Sequence, residues 1–244
     1  MTTLKQEATA LFALDQQPTE SHCNTVLFRL ILAIVLVSLM ACKSRQDITA
    51  GKQSRAPQEA TESEKPNASI QRFSQILEPL IDPEKLDALA GKRAATPRLR
   101  KACYWLEIAR REGFAPKDVI TQAQKLTAPQ NKARAQAQLE SLVRNRTILE
   151  RLGCLDESGM DKLRRGRAPT ITKGPYKDEL ATVDHIIPRS VCPELDNRLY
   201  NLEFMPDTLN KRKSDKIGDR QRQLARKWNE AGLLSKSGYL RVTR

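Results

Sequence analysis

Histidine is nearly absent from this 244-residue chain: His22 and His185 are the only two. That excludes a metal centre built from several histidines and routes any imidazole chemistry of the folded part through His185. A glycine-rich phosphate loop is missing, and so is a run of alternating strands and helices, so a doubly wound α/β enzyme is excluded. Aromatic residues make up 5% and hydrophobic residues 39%. That suffices for one modest core beside a substantial polar fraction, and is too little for a large β-sandwich. Acidic residues are in deficit, with 29 Asp+Glu against 42 Lys+Arg and a formal charge of +13. The excess favours a polyanionic partner, either nucleic acid or an anionic membrane surface, and charge alone does not choose between them. Paired CxxC spacing is also missing: Cys103, Cys154 and Cys192 stand alone, so no zinc site is expected. Three cysteines after Cys42 are an odd count for an oxidising compartment, which fits a cytoplasmic location or a free thiol.

The chain has no apolar run long enough to cross a bilayer, which takes about 20 residues. Residues 30–41 (LILAIVLVSLMA) are twelve uncharged residues after Arg29, the length of a signal-peptide core. Leu39-Met40-Ala41-Cys42 resembles a bacterial lipoprotein lipobox, and the small Ala41 suits a signal peptidase. The resemblance implies that residues 1–42 are a signal segment, that Cys42 is lipidated, and that the protein sits in the cell envelope on a lipid anchor. If the segment is not a signal, the protein is expected to be cytoplasmic; a buried helix or a plain membrane anchor is the alternative for these residues, and the polar segment that follows argues against it. Residues 43–66 are rich in Ser, Gln, Glu, Lys and Ala and bury too little to offset ordering entropy, so a disordered linker is expected there.

Helical spacing begins after Ala68 and defines a helical region over 67–167. Ile70, Phe73, Ile76, Leu77 and Leu80 share one face. Asp82-Pro83 opens a second short helix through Leu89, ended by Gly91. Pro97 starts a third, with Ala102, Trp105, Leu106 and Ala109 inward and Gly113 as its stop. A fourth runs from Pro116 to about Leu126, and the longest covers 131–152 with Gly153 as terminator. No catalytic grouping stands out within them. Two basic clusters do: Lys92, Arg93, Arg98, Arg100 and Lys101, and then Arg164, Arg165 and Arg167 before Pro169. Each is either a solvated face or a set of phosphate contacts.

Residues 181–216 carry the most information. A short β-prone run over 182–187 holds Asp184-His185 and is stopped by Pro188. A loop with Pro193, Asp196 and Asn197 follows, then a second apolar run over 202–205 closed by Pro206. Asp207 reads as an N-cap and 208–215 as a short helix. Strand, loop, strand and helix would bring a carboxylate, an imidazole and the Asn210 amide together. That trio suits phosphodiester hydrolysis, which needs a base for water and a hard cation for phosphate charge. Oxygen donors from Asp and Asn suit Mg²⁺, which keeps several waters and takes one or two protein ligands. A neutral imidazole is available as base near pH 7.

Asp184-His185-Ile186-Ile187-Pro188, Asn201-Leu202 and Asn210 with Lys213 resemble the motif of the HNH (His-Asn-His, ββα-metal or His-Me finger) endonucleases. The third position is Asn210 where the family name has a histidine, a variant shared with the HNH domains of RNA-guided DNA nucleases. The resemblance implies His185 as the base, Asp184 and Asn210 as ligands of Mg²⁺ or Mn²⁺, and Asn201 as the asparagine that holds the loop. Asn197 competes with Asn201 for that role. Arg164, Arg165, Arg167, Arg189, Lys211, Arg212, Lys213 and Lys216 would be the nucleic-acid contacts. Each residue also has an ordinary reading, as a strand-edge pair or as turn and helix residues.

A further helix over 217–231 is expected from Ile217, Leu224 and Trp228. Residues 211–244 hold 11 basic and 3 acidic side chains, a surplus of +8 that supports sequence-independent phosphate binding. The expected fold is therefore α+β and predominantly helical, with a small ββα-metal nuclease core over 168–244 and a basic helical tail. The expected function is metal-dependent cleavage of DNA, with RNA as a possible substrate. The alternatives are a non-catalytic nucleic-acid-binding envelope lipoprotein with a degenerate core, and a structural envelope protein that meets anionic polymer or lipid.

Overall fold

The computed structural model describes residues 64–244, with side chains from Ser69 onward. The expected signal segment, Cys42 and most of the expected linker lie outside the described residues. Among the described residues no helix is long and apolar enough to cross a membrane. The architecture is predominantly helical with one small antiparallel sheet, an α+β arrangement.

Among the described residues six helices come first: α1 (Glu64–Ile81), α2 (Pro83–Asp87), α3 (Thr96–Arg111), α4 (Pro116–Leu126), α5 (Lys132–Arg151) and α6 (Glu157–Arg164). The helix α1 starts at Glu64, within the expected linker, and packs against α3 and α4. Phe73, Leu77, Ile81, Leu99, Leu106 and Ile120 are fully buried there, each stabilising by about 2 kcal/mol through removal from water. Phe73 meets Phe114 and Trp105 with ring centroids 5.8 and 6.5 Å apart. Asp82 ends α1 and opens α2: its Oδ1 accepts from the Glu84 and Lys85 amides at 2.9 and 3.0 Å. Its Oδ2 accepts from the Ala128 amide at 3.0 Å, which ties this corner to the turn before α5. The helix α2 stops at Asp87, short of the expected Leu89. The α6 helix had no counterpart in the apolar periodicity; Asp156 caps it through the Gly159 amide at 2.7 Å.

The long helix α5 bridges the other helices and the sheet. On one side Gln138 Nε2 donates to the Ile81 carbonyl at 2.7 Å, and Arg146 reaches Glu107 of α3 at 2.8 and 3.0 Å. On the other side Ser141 and Asn145 reach the sheet and the turn before its second strand. The helix ends at Gly153, whose φ of +70° is left-handed, and a Cβ there would collide with Thr172.

The sheet has two strands, β1 (Ala181–His185) and β2 (Leu202–Pro206), with Val183 opposite Phe204 and Asp184 opposite Glu203. Two strands leave two outer edges of backbone groups that need partners. Asn145 supplies them along β2: its Nδ2 donates to the Leu202 carbonyl at 2.9 Å and its Oδ1 accepts from the Phe204 amide at 2.9 Å. Along β1 the Ala181 amide donates to the Pro169 carbonyl at 2.9 Å. Three helices complete the chain: α7 (Asp207–Lys213) against both strands, then α8 (Asp219–Glu230) and α9 (Lys236–Thr243) packed on each other. The α9 helix was not expected from sequence. With α8 it closes a second apolar cluster around Ile186, Ile187, Leu195, Tyr200, Trp228 and Val242.

The helix α7 departs from expectation at both ends. Asp207 lies inside its first turn and pairs with Lys211, so it does not cap the helix. Glu179 takes that role from outside, its carboxylate accepting from the Thr208 amide at 2.9 Å and hydroxyl at 2.8 Å. The helix stops at Lys213 because Ser214 turns to a φ of +50°.

Glu107 is buried and meets Arg110, Arg111 and Arg146. Burial alone would raise its pKa, but hydrogen bonds from the three guanidiniums override that and hold it at about 2. The folded-state value is depressed below the unfolded value of about 4.3. Its stabilisation is therefore present above that pH and is lost as pH falls towards 2. Glu107→Gln should lower stability by about 2 kcal/mol, because Arg146 is left with only the half-exposed Glu150 as a charged partner. Denaturant unfolding at pH 7 measures that decrease. Thermal melts between pH 5 and pH 2 should show a shallower acid dependence in the variant than in the parent.

Candidate active site

Strand β1 delivers Asp184 and His185 to its end, where Pro188 prevents the ladder from continuing. Both are buried, at 8% and 4% exposure. Several side chains hold the loop that follows, and Asn201 makes the most hydrogen bonds to it. Asn201 is fully buried; its Oδ1 accepts from the Ile187 amide at 2.8 Å, and its Nδ2 donates to the Ile187 carbonyl at 3.0 Å and the Leu195 carbonyl at 3.4 Å. Tyr200 anchors the same stretch, stacking edge-on to Trp228 at 5.1 Å and donating to the Leu233 carbonyl at 3.0 Å. The competing Asn197 does a different job, donating to the Leu89 carbonyl at 3.1 Å and so tying the loop to the helical region.

The loop in turn orients the imidazole. His185 Nε2 lies 3.0 Å from the Asp196 carbonyl oxygen and 2.9 Å from Asp196 Oδ1. The carbonyl takes the hydrogen bond, whereas Oδ1 makes no aligned hydrogen bond and acts through its charge. Both neighbours of Nε2 are acceptors, so the proton of the neutral ring belongs on Nε2. Nδ1 is then left with its lone pair, the form a general base requires.

Around the imidazole lies a polar cavity of about 380 Å³. It is lined by Asp184, His185, Pro188 and Asn210 of the motif, by the expected contact Arg189, and by Lys92 and Arg93 from the first basic cluster read in the sequence. Ser190, Ser214 and Asp215 also line it and were not indicated by the motif. Asn210 Nδ2 donates to Thr182 Oγ1 at 3.0 Å, which commits the nitrogen and leaves the amide oxygen to accept or to ligate. Asp184 Oδ2 accepts from Lys213 Nζ at 2.7 Å, and the same ammonium donates to the His185 carbonyl at 2.8 Å. Lys213, expected as a phosphate contact, thus spends its charge on β1. Glu203 stands opposite Asp184 and is held by Arg220 at 2.7 and 2.8 Å and by Arg144 at 3.0 Å. These cations offset the repulsion of two carboxylates on facing strand positions.

The other expected nucleic-acid contacts are not gathered at the cavity. Arg164 and Arg165 both pair with Asp161 on α6, and Lys211 pairs with Asp207. Arg167, Arg212 and Lys216 are exposed and do not line the cavity. Asp196, which the sequence placed only in the connecting loop, meets His185 mainly through its backbone carbonyl, a contact that residue spacing does not reveal.

The donor set fits a small hard cation. Asp184 and Asn210 offer oxygen atoms, and Asp215 borders the same space. Among the described residues no group of three or more His, Cys, Asp and Glu side chains is placed to hold a metal. An ion here would therefore keep much of its water. Cys103, Cys154 and Cys192 are free and buried, and burial pushes each thiol's pKa up, that of Cys154 to about 12. No family model, no curated protein and no solved structure matches the chain. The site's own chemistry therefore carries the functional reading.

Replacing Asn201 by Ala should strip the Ile187 amide and carbonyl of their partners inside a dry loop. A destabilisation of about 2 kcal/mol is expected in denaturant unfolding. Hydrogen exchange at the Ile187 amide should accelerate more than at amides of α3.

Proposed function

We propose that the chain is a metal-dependent phosphodiesterase of the HNH endonuclease type, with β1, β2 and α7 as its ββα-metal core and DNA as its substrate. The observation that carries this reading is the convergence of Asp184, His185 and Asn210 on one polar cavity, with His185 Nε2 tied to a carbonyl.

His185 Nδ1 accepts the proton of the attacking water, and the Asp196 carbonyl and carboxylate stabilise the imidazolium that forms. Asn201 keeps the loop, and hence Asp196, in register with the ring. Asp184 and Asn210 would hold Mg²⁺ or Mn²⁺, which when bound supplies positive charge to the phosphate and the departing 3′-oxygen. Lys213 orients Asp184, whose carboxylate charge it would share with an ion held there. The surplus of cations over 211–244 gives salt-dependent attraction to the polyanion.

One contact favours a second reading. The Lys213 ammonium already neutralises Asp184 at 2.7 Å, as it would in a nucleic-acid-binding protein whose core no longer takes a metal. Attachment to the cell envelope through Cys42 is a separate proposal that rests on the lipobox-like segment alone.

Relaxation of supercoiled plasmid by the full chain, with Mg²⁺, Mn²⁺ or EDTA, tests the reading. Cleavage should require the divalent ion, and His185→Ala should reduce it by about 100-fold or more while the variant still unfolds in a single cooperative transition. Asn210→Ala should raise the metal concentration for half-maximal cleavage more than it weakens DNA binding. Intact plasmid under every metal, with DNA still retarded on a gel, would move the assignment to the binding protein.

A further inference from the structure

The cavity is not built by the core alone. Two of its lining residues, Lys92 and Arg93, come from the turn between α2 and α3, far earlier in the chain than His185. Both side chains belong to exposed residues. Neither forms an ion pair or a side-chain hydrogen bond among the described residues, and the same holds for Arg189 on the stretch after β1. Arg164, Arg165, Lys211 and Lys213 spend their charges on neighbouring carboxylates. Lys117, Arg212 and Lys216 are unpaired among the described residues as well, but what sets Lys92, Arg93 and Arg189 apart is that they line the cavity that holds His185.

The backbone of this turn is also unusual. Arg93 has a φ of +60°, a left-handed conformation that side chains with a Cβ adopt at a cost. Its neighbours hold it there: the Thr96 amide donates to the Arg93 carbonyl at 3.0 Å, and Ala95 is fully buried at the start of α3. The turn also lies next to the loop around the site, because Asn197 donates to the Leu89 carbonyl and Arg198 pairs with Asp87. The cations are thus mounted on a fixed piece of backbone whose register to His185 is set by hydrogen bonds.

We propose that the turn over 91–95 is a phosphate-binding lip of the site, in which Lys92 and Arg93, together with Arg189, hold backbone phosphates of the nucleic-acid strand that enters the cavity. This deepens the nuclease reading and rests on it for the identity of the ligand. Uncompensated cations beside a cavity already containing Asp184 and Asp215 suit a polyanion, since the carboxylates would repel an isolated anion that brought no further contacts. The lip makes the helical region part of the substrate site and not merely a scaffold for it.

The test uses the full chain, a short fluorescein-labelled DNA duplex and EDTA, so that binding is read without cleavage. Lys92→Ala/Arg93→Ala should weaken binding about tenfold at low salt and reduce the slope of log affinity against log salt by about 2, one for each phosphate no longer engaged. Lys117→Ala/Lys125→Ala, two exposed cations on α4 that do not line the cavity, should leave that slope within about 0.5 of the parent. An unchanged affinity and slope in the first variant, with its melt intact, overturns the lip. Cleavage kinetics separate the two readings. If the parent cleaves, the lip variant should raise KM with kcat nearly unchanged, and equal KM values overturn the lip while the nuclease stands. If the parent cleaves under no metal but the lip variant still shows the weaker binding and shallower slope, the lip stands and the hydrolytic reading falls.

Discussion

A sheet of two strands cannot satisfy its own edges, and the architecture follows from how those edges are paired. Asn145 lends its side-chain amide to β2 as a third strand would, accepting from Phe204 and donating to Leu202. Because that amide is fully buried on α5, the helix must lie along the strand in one register, or two backbone groups and one side chain go without partners in a dry interior. Unpaired buried groups of this kind cost about 1–3 kcal/mol each. The same device recurs one residue before β2, where Asn201 closes on both polar groups of Ile187. Two asparagines therefore set where the strands lie relative to the helices and where the loop lies relative to the strands.

Carboxylates follow a parallel rule. Three buried ones are met by cations from elements distant in sequence: Glu107 by Arg146, Glu203 by Arg144 and Arg220, Asp184 by Lys213. Such pairs do more to specify an arrangement than to stabilise it, since desolvation offsets much of their attraction. They also show that the charge of +13 is not a uniform coat. Many basic side chains pair with carboxylates inside the fold, whereas Lys92, Arg93 and Arg189 line the cavity with no such partner among the described residues.

The site inherits its geometry from this packing. His185 lies on a strand end, its Nε2 on a loop carbonyl, that loop on Asn201 and on Tyr200 against Trp228, and Trp228 on the helix pair α8 and α9. The imidazole's tautomer is thus coupled to an apolar cluster that the C-terminal helices complete. Burial and a fixed carbonyl at Nε2 favour one tautomer, because a water at that position could either accept or donate.

Much of this was legible in the sequence. The periodicity of Ile70, Phe73 and Leu77 announces α1, Asp82-Pro83 announces the start of α2, and Gly153 announces the end of α5, because each rests on interactions within one turn of helix. The juxtaposition of Asp184, His185, Asn201 and Asn210 was also readable, since short spacing through strand, loop, strand and helix leaves few ways to arrange them. Local patterns failed where the deciding partner was distant. Asp207 looks like a cap, yet Glu179 supplies it; Lys213 looks like a phosphate contact, yet Asp184 takes it. By itself the sequence determined most of the helices, the two strands and the identity of the polar trio, all matters of short-range geometry. Only the tertiary structure decided that Asn145 completes the sheet, that the Asp196 carbonyl orients the imidazole, and that Lys92 and Arg93 border the site. Those pairings rest on chain segments that only packing brings together, and burial and hydrogen-bond satisfaction act on them only after the helices have met.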